Sequence, residues 1–214
     1  MRMRKKTWAE PFINENRDYV LENPSEYKGK WREKLDCKGL LHVEIGCGKG
    51  DYFIGMHERY PEDGFVAIEK DTNCAAVAAK KALQVNHEST IMINMDACNL
   101  EEWFDKKEID IIHLNFSDPW PKKGHAKRRL SSKSFLDMYK NLLSEQGEIQ
   151  MKTDNRKLFE YSVSEFSKNG WIIDEINVDY RAGDVEGDTM TEYETRFVEL
   201  GQPIYRMVLK NRGE

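Results

Sequence analysis

No apolar run in this chain approaches the ~20 residues that cross a bilayer, so no membrane partner is expected. The four cysteines, Cys37, Cys47, Cys74 and Cys98, fall in no CxxC pair, and no histidines cluster near them. Neither a metal site nor a disulfide framework is therefore expected, and the thiols are read as reduced and structural. The first residues, MRMRKKTWAEPF, carry charge but lack the apolar core and small-residue cleavage site of a secretory signal, which points to the cytoplasm. There is no internal repeat and no low-complexity tract. What remains, 214 residues with 39% hydrophobic and 33% charged side chains, is the composition of a globular protein with one full-sized core.

Acid is in slight excess, with a net charge of -5, which taken alone disfavours a nucleic-acid partner. The distribution argues the other way, because local potential governs attraction to phosphate. Arg2, Arg4, Lys5 and Lys6 form one basic cluster; Lys122, Lys123, Lys127, Arg128 and Arg129 form another, with no acid among them. The second cluster closes the stretch from Asn115 to Leu130, NFSDPWPKKGHAKRRL, where two prolines leave the backbone few conformations and a carboxylate, Asp118, sits just before the cations.

Residues 1 to 39 show no sustained period beyond a possible short helix from Pro11 to Leu21. They are read as an extension packed on a domain spanning 40 to 214. From residue 40, apolar strands alternate with helical patterns: LLHVEI, FVAIE, TIMIN, IDIIHLNF and EIQMKTDN, with helices from about Asp51, over Thr72 to Val85 with Asp71 or Thr72 as cap, over Leu100 to Phe104, Ser132 to Leu143 and Arg156 to Lys168. Near-continuous apolar strands mark a parallel sheet covered on both faces. The last two, WIIDEINV and PIYRMVL, flank a polar loop from Asp179 to Gly201 with no good crossover helix, which suggests an antiparallel edge. The fold class expected is α/β: a mostly parallel, Rossmann-like sheet of seven strands with an antiparallel C-terminal edge and helices on both faces.

Ligands of open α/β sheets lie beyond the carboxyl ends of the strands, and these ends are polar here: Glu44 with Gly46, Gly48 and Gly50, then Glu69, Asp96, Asn115 with Asp118, and Lys152 with Asp154. The turn is G-C-G-K-G-D, not the dinucleotide spacing G-x-G-x-x-G. Dinucleotide phosphates would meet Glu44 and Asp51 as like charges, whereas a cofactor carrying an ammonium and a sulfonium would be favoured by them.

E-x-G-x-G-x-G resembles the first motif of the class I S-adenosylmethionine-dependent methyltransferases. That resemblance implies Glu69 at the ribose hydroxyls, Asp96 and Ala97 at the adenine, and Glu44, Gly46, Gly48 and Asp118 as further contacts of the S-adenosylmethionine cofactor. Enzymes of this class acting on exocyclic amines carry N-P-P-Y or D-P-P-Y; this chain has S-D-P-W-P. With its flanks, NFSDPWPKKGHAKRRL resembles the tRNA (guanine-N7)-methyltransferase family, as do MRMRKKTWA, HVEIGCGKG, KTDN at 152 to 155, MTEYE at 190 to 194 and LGQPIYR at 200 to 206. The resemblance covers essentially the whole chain. It implies methylation of the guanine at position 46 in the tRNA variable loop, with Asp118 as the central active-site residue. Lys122, Asp154, Thr191, Glu192, Tyr193 and Glu194 would contact the substrate, and Gly124, His125, Ala126, Lys127, Arg128 and Arg129 the RNA. Monomer and homodimer both stay open.

The chemistry agrees. N7 of neutral guanine carries a lone pair and no proton, so alignment and tolerance of the cationic product are needed, and a general base is not. Thr191 with Glu194 also fits a helix capping box, which does not exclude a binding role. Trp120, between two prolines, is read as a buried anchor in preference to a base-stacking platform, and His125 as a hydrogen-bonding residue. Two readings from other classes remain: a dinucleotide-dependent oxidoreductase, disfavoured by the glycine spacing, and a non-catalytic RNA-binding protein, disfavoured by the full set of strand-end acids.

Overall fold

A computed structural model describes residues 5–85, 87–183 and 185–211; Arg2 and Arg4 of the first basic cluster lie outside them. The chain divides into two compact units, Met1–Asp105 and Lys106–Glu214.

The first unit holds α1 (Ala9–Glu15), β1 (Val20–Leu21), α2 (Trp31–Lys34), β2 (Leu41–Ile45), α3 (Asp51–Arg59), β3 (Gly64–Ile68), α4 (Thr72–Ala82), β4 (Thr90–Ile93) and α5 (Leu100–Trp103). Its strands run parallel in the order β1-β4-β3-β2. Every residue of β2, β3 and β4 is buried, as a sheet covered on both faces requires. Asp71 caps α4, its carboxylate accepting from the amides of Asn73 (2.9 Å) and Cys74 (3.1 Å). Buried Ala75, Ala78 and Ala82 keep one face of that helix thin. Gly50 exploits it: a Cβ there would lie 2.8 Å from the Phe53 ring and 2.9 Å from Ala78 Cβ, so this glycine serves the packing of α3 on α4.

The second unit holds β5 (Ile109–Asn115), α6 (Lys133–Leu142), β6 (Leu143–Thr153), α7 (Arg156–Lys168), β7 (Ile172–Asn177), α8 (Glu192–Glu199) and β8 (Tyr205–Lys210). β5 and β6 are parallel, with Asn115 beside Lys152, and β8 pairs antiparallel with both β6 and β7. Parallel pairing predominates and the antiparallel edge is C-terminal, as expected.

Three features depart from expectation. Among the described residues there are eight strands, not seven, because Val20–Leu21 pairs with Met92 and Ile93; two residues are too few to show a period. The helix read over Pro11 to Leu21 starts earlier and ends at Glu15, where the Asn16 side-chain amide donates to the Phe12 carbonyl at 2.7 Å and competes with further helix. Inside the supposed loop from Asp179 to Gly201 lies α8, with Thr191 and Glu194 forming the full capping box. Among the described residues, no helix is long and apolar enough to cross a membrane.

Within the first unit Trp31 is fully buried, donates its indole N–H to the Trp103 carbonyl at 2.8 Å and stacks on Phe104 at 5.1 Å between ring centres. Replacing it removes a large apolar surface and orphans that carbonyl together. Trp31→Ala should cost about 3–5 kcal/mol of stability, measurable as a lowered midpoint in urea unfolding.

Candidate active site

In the first unit the expected cofactor residues gather at the strand ends. Gly46 (φ 81) and Gly48 (φ 57) adopt left-handed backbone, and a Cβ on either would meet nothing within 4 Å. Here glycine supplies the turn and leaves space above it, whereas at Gly50, also left-handed (φ 86), Phe53 and Ala78 fill that space. Glu69, at 9% exposure, accepts from the Gly48 amide through Oε2 (3.0 Å) and from the Asp71 amide through Oε1 (2.7 Å). Burial raises its pKa above the ordinary carboxylate value, against the opposing pull of those two N–H groups. Glu44 is 2% exposed; burial, then the charges of Glu44 and Glu69, push the Cys47 thiol up, so the two acids share one electronegative turn. Asp96 is exposed and accepts from the Cys98 amide at 3.2 Å, capping a 3-10 turn that begins with buried Ala97.

Asp51 does not join this set. Its carboxylate pairs with Lys81 at 2.7 Å, so the electrostatic case against dinucleotide phosphates rests on Glu44 and Glu69. One residue the sequence did not single out is Asn94, whose amide donates to the Glu69 carbonyl at 2.7 Å. Asn94 also borders a cavity of about 620 Å3 shared with Lys5, Lys6, Arg17, Asp71 and Asn73.

In the second unit, Asp118 is exposed on a loop whose flanks are bent out of ordinary backbone: Phe116 has φ 52 and Trp120 φ 40. Left-handed backbone at bulky residues persists only where the surroundings impose it. They do so here. The Phe116 amide donates to the Lys152 carbonyl at 2.8 Å, and Arg129 donates to the carbonyls of Pro119 (2.9 Å) and Trp120 (3.0 Å) while its guanidinium lies 4.1 Å from the centre of the Tyr161 ring. Arg129, read in the sequence as an RNA contact, has two of its donors on the Asp118 loop. Trp120 is half-buried and not a buried anchor: Arg128 lies over its ring at 5.0 Å and His125 meets it edge-on at 5.8 Å. Lys122, Lys123, Gly124, Lys127 and Arg128 are exposed on a 3-10 turn, with His125 and Ala126 half-buried.

Asp154 follows the end of β6 half-buried, and burial raises its pKa. Tyr193 is 49% exposed and packs against Phe116 (5.3 Å) and Phe197 (4.5 Å); burial and then the Asp154 charge raise its pKa. Glu192 is exposed and Thr191 half-buried. Glu194 departs from its expected role as a substrate contact. It has no exposed surface, and its carboxylate accepts from Lys152 Nζ (3.0 Å) and Arg181 Nε (2.7 Å). Lys152 offered a sequence signal of this arrangement, a lysine after Met151 in a strand that is largely apolar, which must be paired if it is buried. Nothing in the spacing of Arg181 marked it as the partner. Among the described residues, no group of three or more His, Cys, Asp or Glu could hold a metal ion.

Comparison with known proteins bears on this geometry. Solved structures share the fold at low identity: an antibiotic-related methyltransferase (TM-score 0.62, 13% identity, 84% of this chain and 92% of that one) and the 16S rRNA methyltransferase KamB (TM-score 0.62, 12% identity, 84% and 91%). Residues 38–207 match the family model Methyltransf_4, described as "Putative methyltransferase". The tRNA (guanine-N(7)-)-methyltransferase of Oceanobacillus iheyensis is 46% identical over 96% of this chain and 97% of the relative. Those of Streptococcus agalactiae (44%, over 97% and 98%) and Bacillus subtilis (42%, over 96% and 97%) are comparably similar. With near-complete coverage on both sides and the glycine turn, Glu69 and the Asp118 loop in place, this chain belongs to the tRNA (guanine-N7)-methyltransferase family.

Proposed function

We propose that the chain transfers the methyl group of S-adenosylmethionine to N7 of guanine in tRNA, at position 46 of the variable loop, in the cytoplasm. Products are 7-methylguanosine and S-adenosylhomocysteine. The observation that carries the reading is the Glu69 carboxylate fixed to the Gly48 amide beside two glycines that face open space. A buried acid held at a strand end, next to backbone a ligand can approach, suits a ribose diol better than a phosphate. Glu44 adds negative charge that suits an ammonium and a sulfonium. Asp96 and Ala97 are assigned to the adenine.

S-adenosylmethionine supplies an electrophilic methyl on sulfur. The protein's share of the reaction is alignment and charge. With the cofactor bound, guanine N7 would take the methyl with its lone pair as the sulfonium leaves as the thioether, so positive charge would pass from sulfur to the base. Asp118 and Asp154 accept hydrogen bonds from guanine N1–H and the 2-amino group and offset that charge, while Tyr193 offers a ring face. Lys122, Thr191 and Glu192 complete the substrate contacts. Lys123, Lys127 and Arg128 face the tRNA backbone, and Gly124 lets it come close.

Incubation with unmodified tRNA transcripts and methyl-labelled S-adenosylmethionine, followed by digestion to nucleosides, should place the label in 7-methylguanosine; label elsewhere, or none, would sink the reading. Asp118→Ala should lower turnover by 100-fold or more, on the order of what loss of one preorganised electrostatic contact costs. Thermal unfolding of that variant should be unchanged, because Asp118 is exposed. Lys127→Ala combined with Arg128→Ala should weaken tRNA binding and flatten its salt dependence by about 0.7 to 0.9 log units per log of salt for each phosphate no longer neutralised. Binding titrations at several salt concentrations, with S-adenosylhomocysteine affinity as control, test this.

A further inference from the structure

Four charged side chains in the second unit close into a ring. Lys152 Nζ reaches Asp188 Oδ2 at 2.9 Å and Glu194 Oε2 at 3.0 Å, and Arg181 reaches the same two carboxylates, Asp188 Oδ2 through Nη2 at 2.6 Å and Glu194 Oε1 through Nε at 2.7 Å. Every member is nearly out of water, with side-chain exposures of 3% for Lys152, 10% for Arg181 and Asp188 and 0% for Glu194. Two cations face two anions, so the ring is neutral as a whole and no charge is buried alone.

The ring joins three parts of the chain. Lys152 lies on β6, Arg181 and Asp188 on the segment that follows β7, and Glu194 in the first turn of α8. Lys152 Nζ also donates to the Thr189 carbonyl at 3.2 Å, and Glu194 Oε2 accepts from the Thr191 amide at 3.3 Å. Residues 188 to 194 are thus held at both ends and in the middle. Asp188 and Glu194, the ends of that stretch, turn inward; Glu192 and Tyr193 between them face outward, and the Tyr193 ring rests on Phe116 at the base of the Asp118 loop. Fixing a short segment whose inward residues are clamped fixes the direction of its outward ones.

We infer that Lys152, Arg181, Asp188 and Glu194 are positioning residues for the guanine site, a closed ring of buried ion pairs that sets the Tyr193 ring against Phe116. The inference rests on the reading above, in which Tyr193 and Asp154 receive the base. Arg181 and Asp188 act on the substrate through the segment they hold, chiefly through Tyr193, the outward residue that packs on Phe116. The ring has the geometry Arg favours, one planar guanidinium bridging two carboxylates, which Lys could not reproduce at position 181.

The test is a double-mutant cycle between Arg181→Met and Tyr193→Ala. Arg181→Met should lower kcat/KM for tRNA by about 10- to 100-fold, as a misplacement near 1 Å does, with S-adenosylhomocysteine affinity unchanged within twofold. Tyr193→Ala should do the same, and the double variant should be no worse than Tyr193→Ala alone. Fully additive losses, or a lowered melting temperature with unchanged kcat/KM, would make the ring structural only and overturn the inference. Hydrogen exchange of the amides from 189 to 194, expected to speed up in Arg181→Met, needs no substrate. If the unaltered protein fails to methylate tRNA, that exchange still decides the anchoring while the functional reading falls by itself. Should Arg181→Met not fold, Asp188→Asn enters the same cycle; failure of both to fold would show a folding requirement and overturn the proposal.

Discussion

Lys152 is the residue on which the second unit turns. Its carbonyl takes the Phe116 amide and so bends the chain into the Asp118 loop; its ammonium takes Asp188, Glu194 and the Thr189 carbonyl. One position in β6 thereby registers both polar segments of the unit. Burying an ammonium costs several kcal/mol unless it is paired, so the segment from 188 to 194 cannot drift away without leaving that charge orphaned. The parallel pairing of Asn115 with Lys152 supplies the rest, because it brings the two strand ends level before either loop begins.

Apart from α8, the strands and helices from residue 40 onward were legible, several of them bounded by a residue with a local reason to be there: Gly46 and Gly48 for the turn, Asp71 for the cap, Asn155 as cap of α7 with its side chain accepting from the Leu158 amide at 2.9 Å. These signals act over three or four residues and survive without knowledge of the rest of the fold. β1 carries no such signal; its two residues become a strand only because the edge of β4 is available to pair. The same holds for Val178 and Ile176 near the end of β7, apolar in sequence yet 63% and 52% exposed, since an edge strand has one neighbour and its faces are not both covered.

At the site, residue types were legible and side-chain directions were not. TEYE reads as four candidate contacts, and a capping box is visible in it, but the box says only that Glu194 bends back toward Thr191. That it continues inward to two cations depends on Arg181, thirteen positions away across a glycine-containing loop. Arg129 shows the same limit. As the last of five cations it reads as a phosphate contact, and only the fold reveals two carbonyls and the Tyr161 ring waiting for its guanidinium. Arg129 thus ties the Asp118 loop in a way the sequence alone does not suggest.

That tie fits the chemistry. For attack by a lone pair along the axis of a breaking carbon–sulfur bond, the barrier depends on the approach geometry itself. A protein specialised for it gains most by holding the nucleophile's surroundings rigid. The left-handed Phe116 and Trp120, the guanidinium clamping the loop between them and the closed ring beneath Tyr193 all act in that sense. In the proposed reaction the developing charge falls to two carboxylates: Asp118 is exposed, where water and base both reach it, and Asp154 is half-buried, where a carboxylate interacts more strongly with a neighbouring cation.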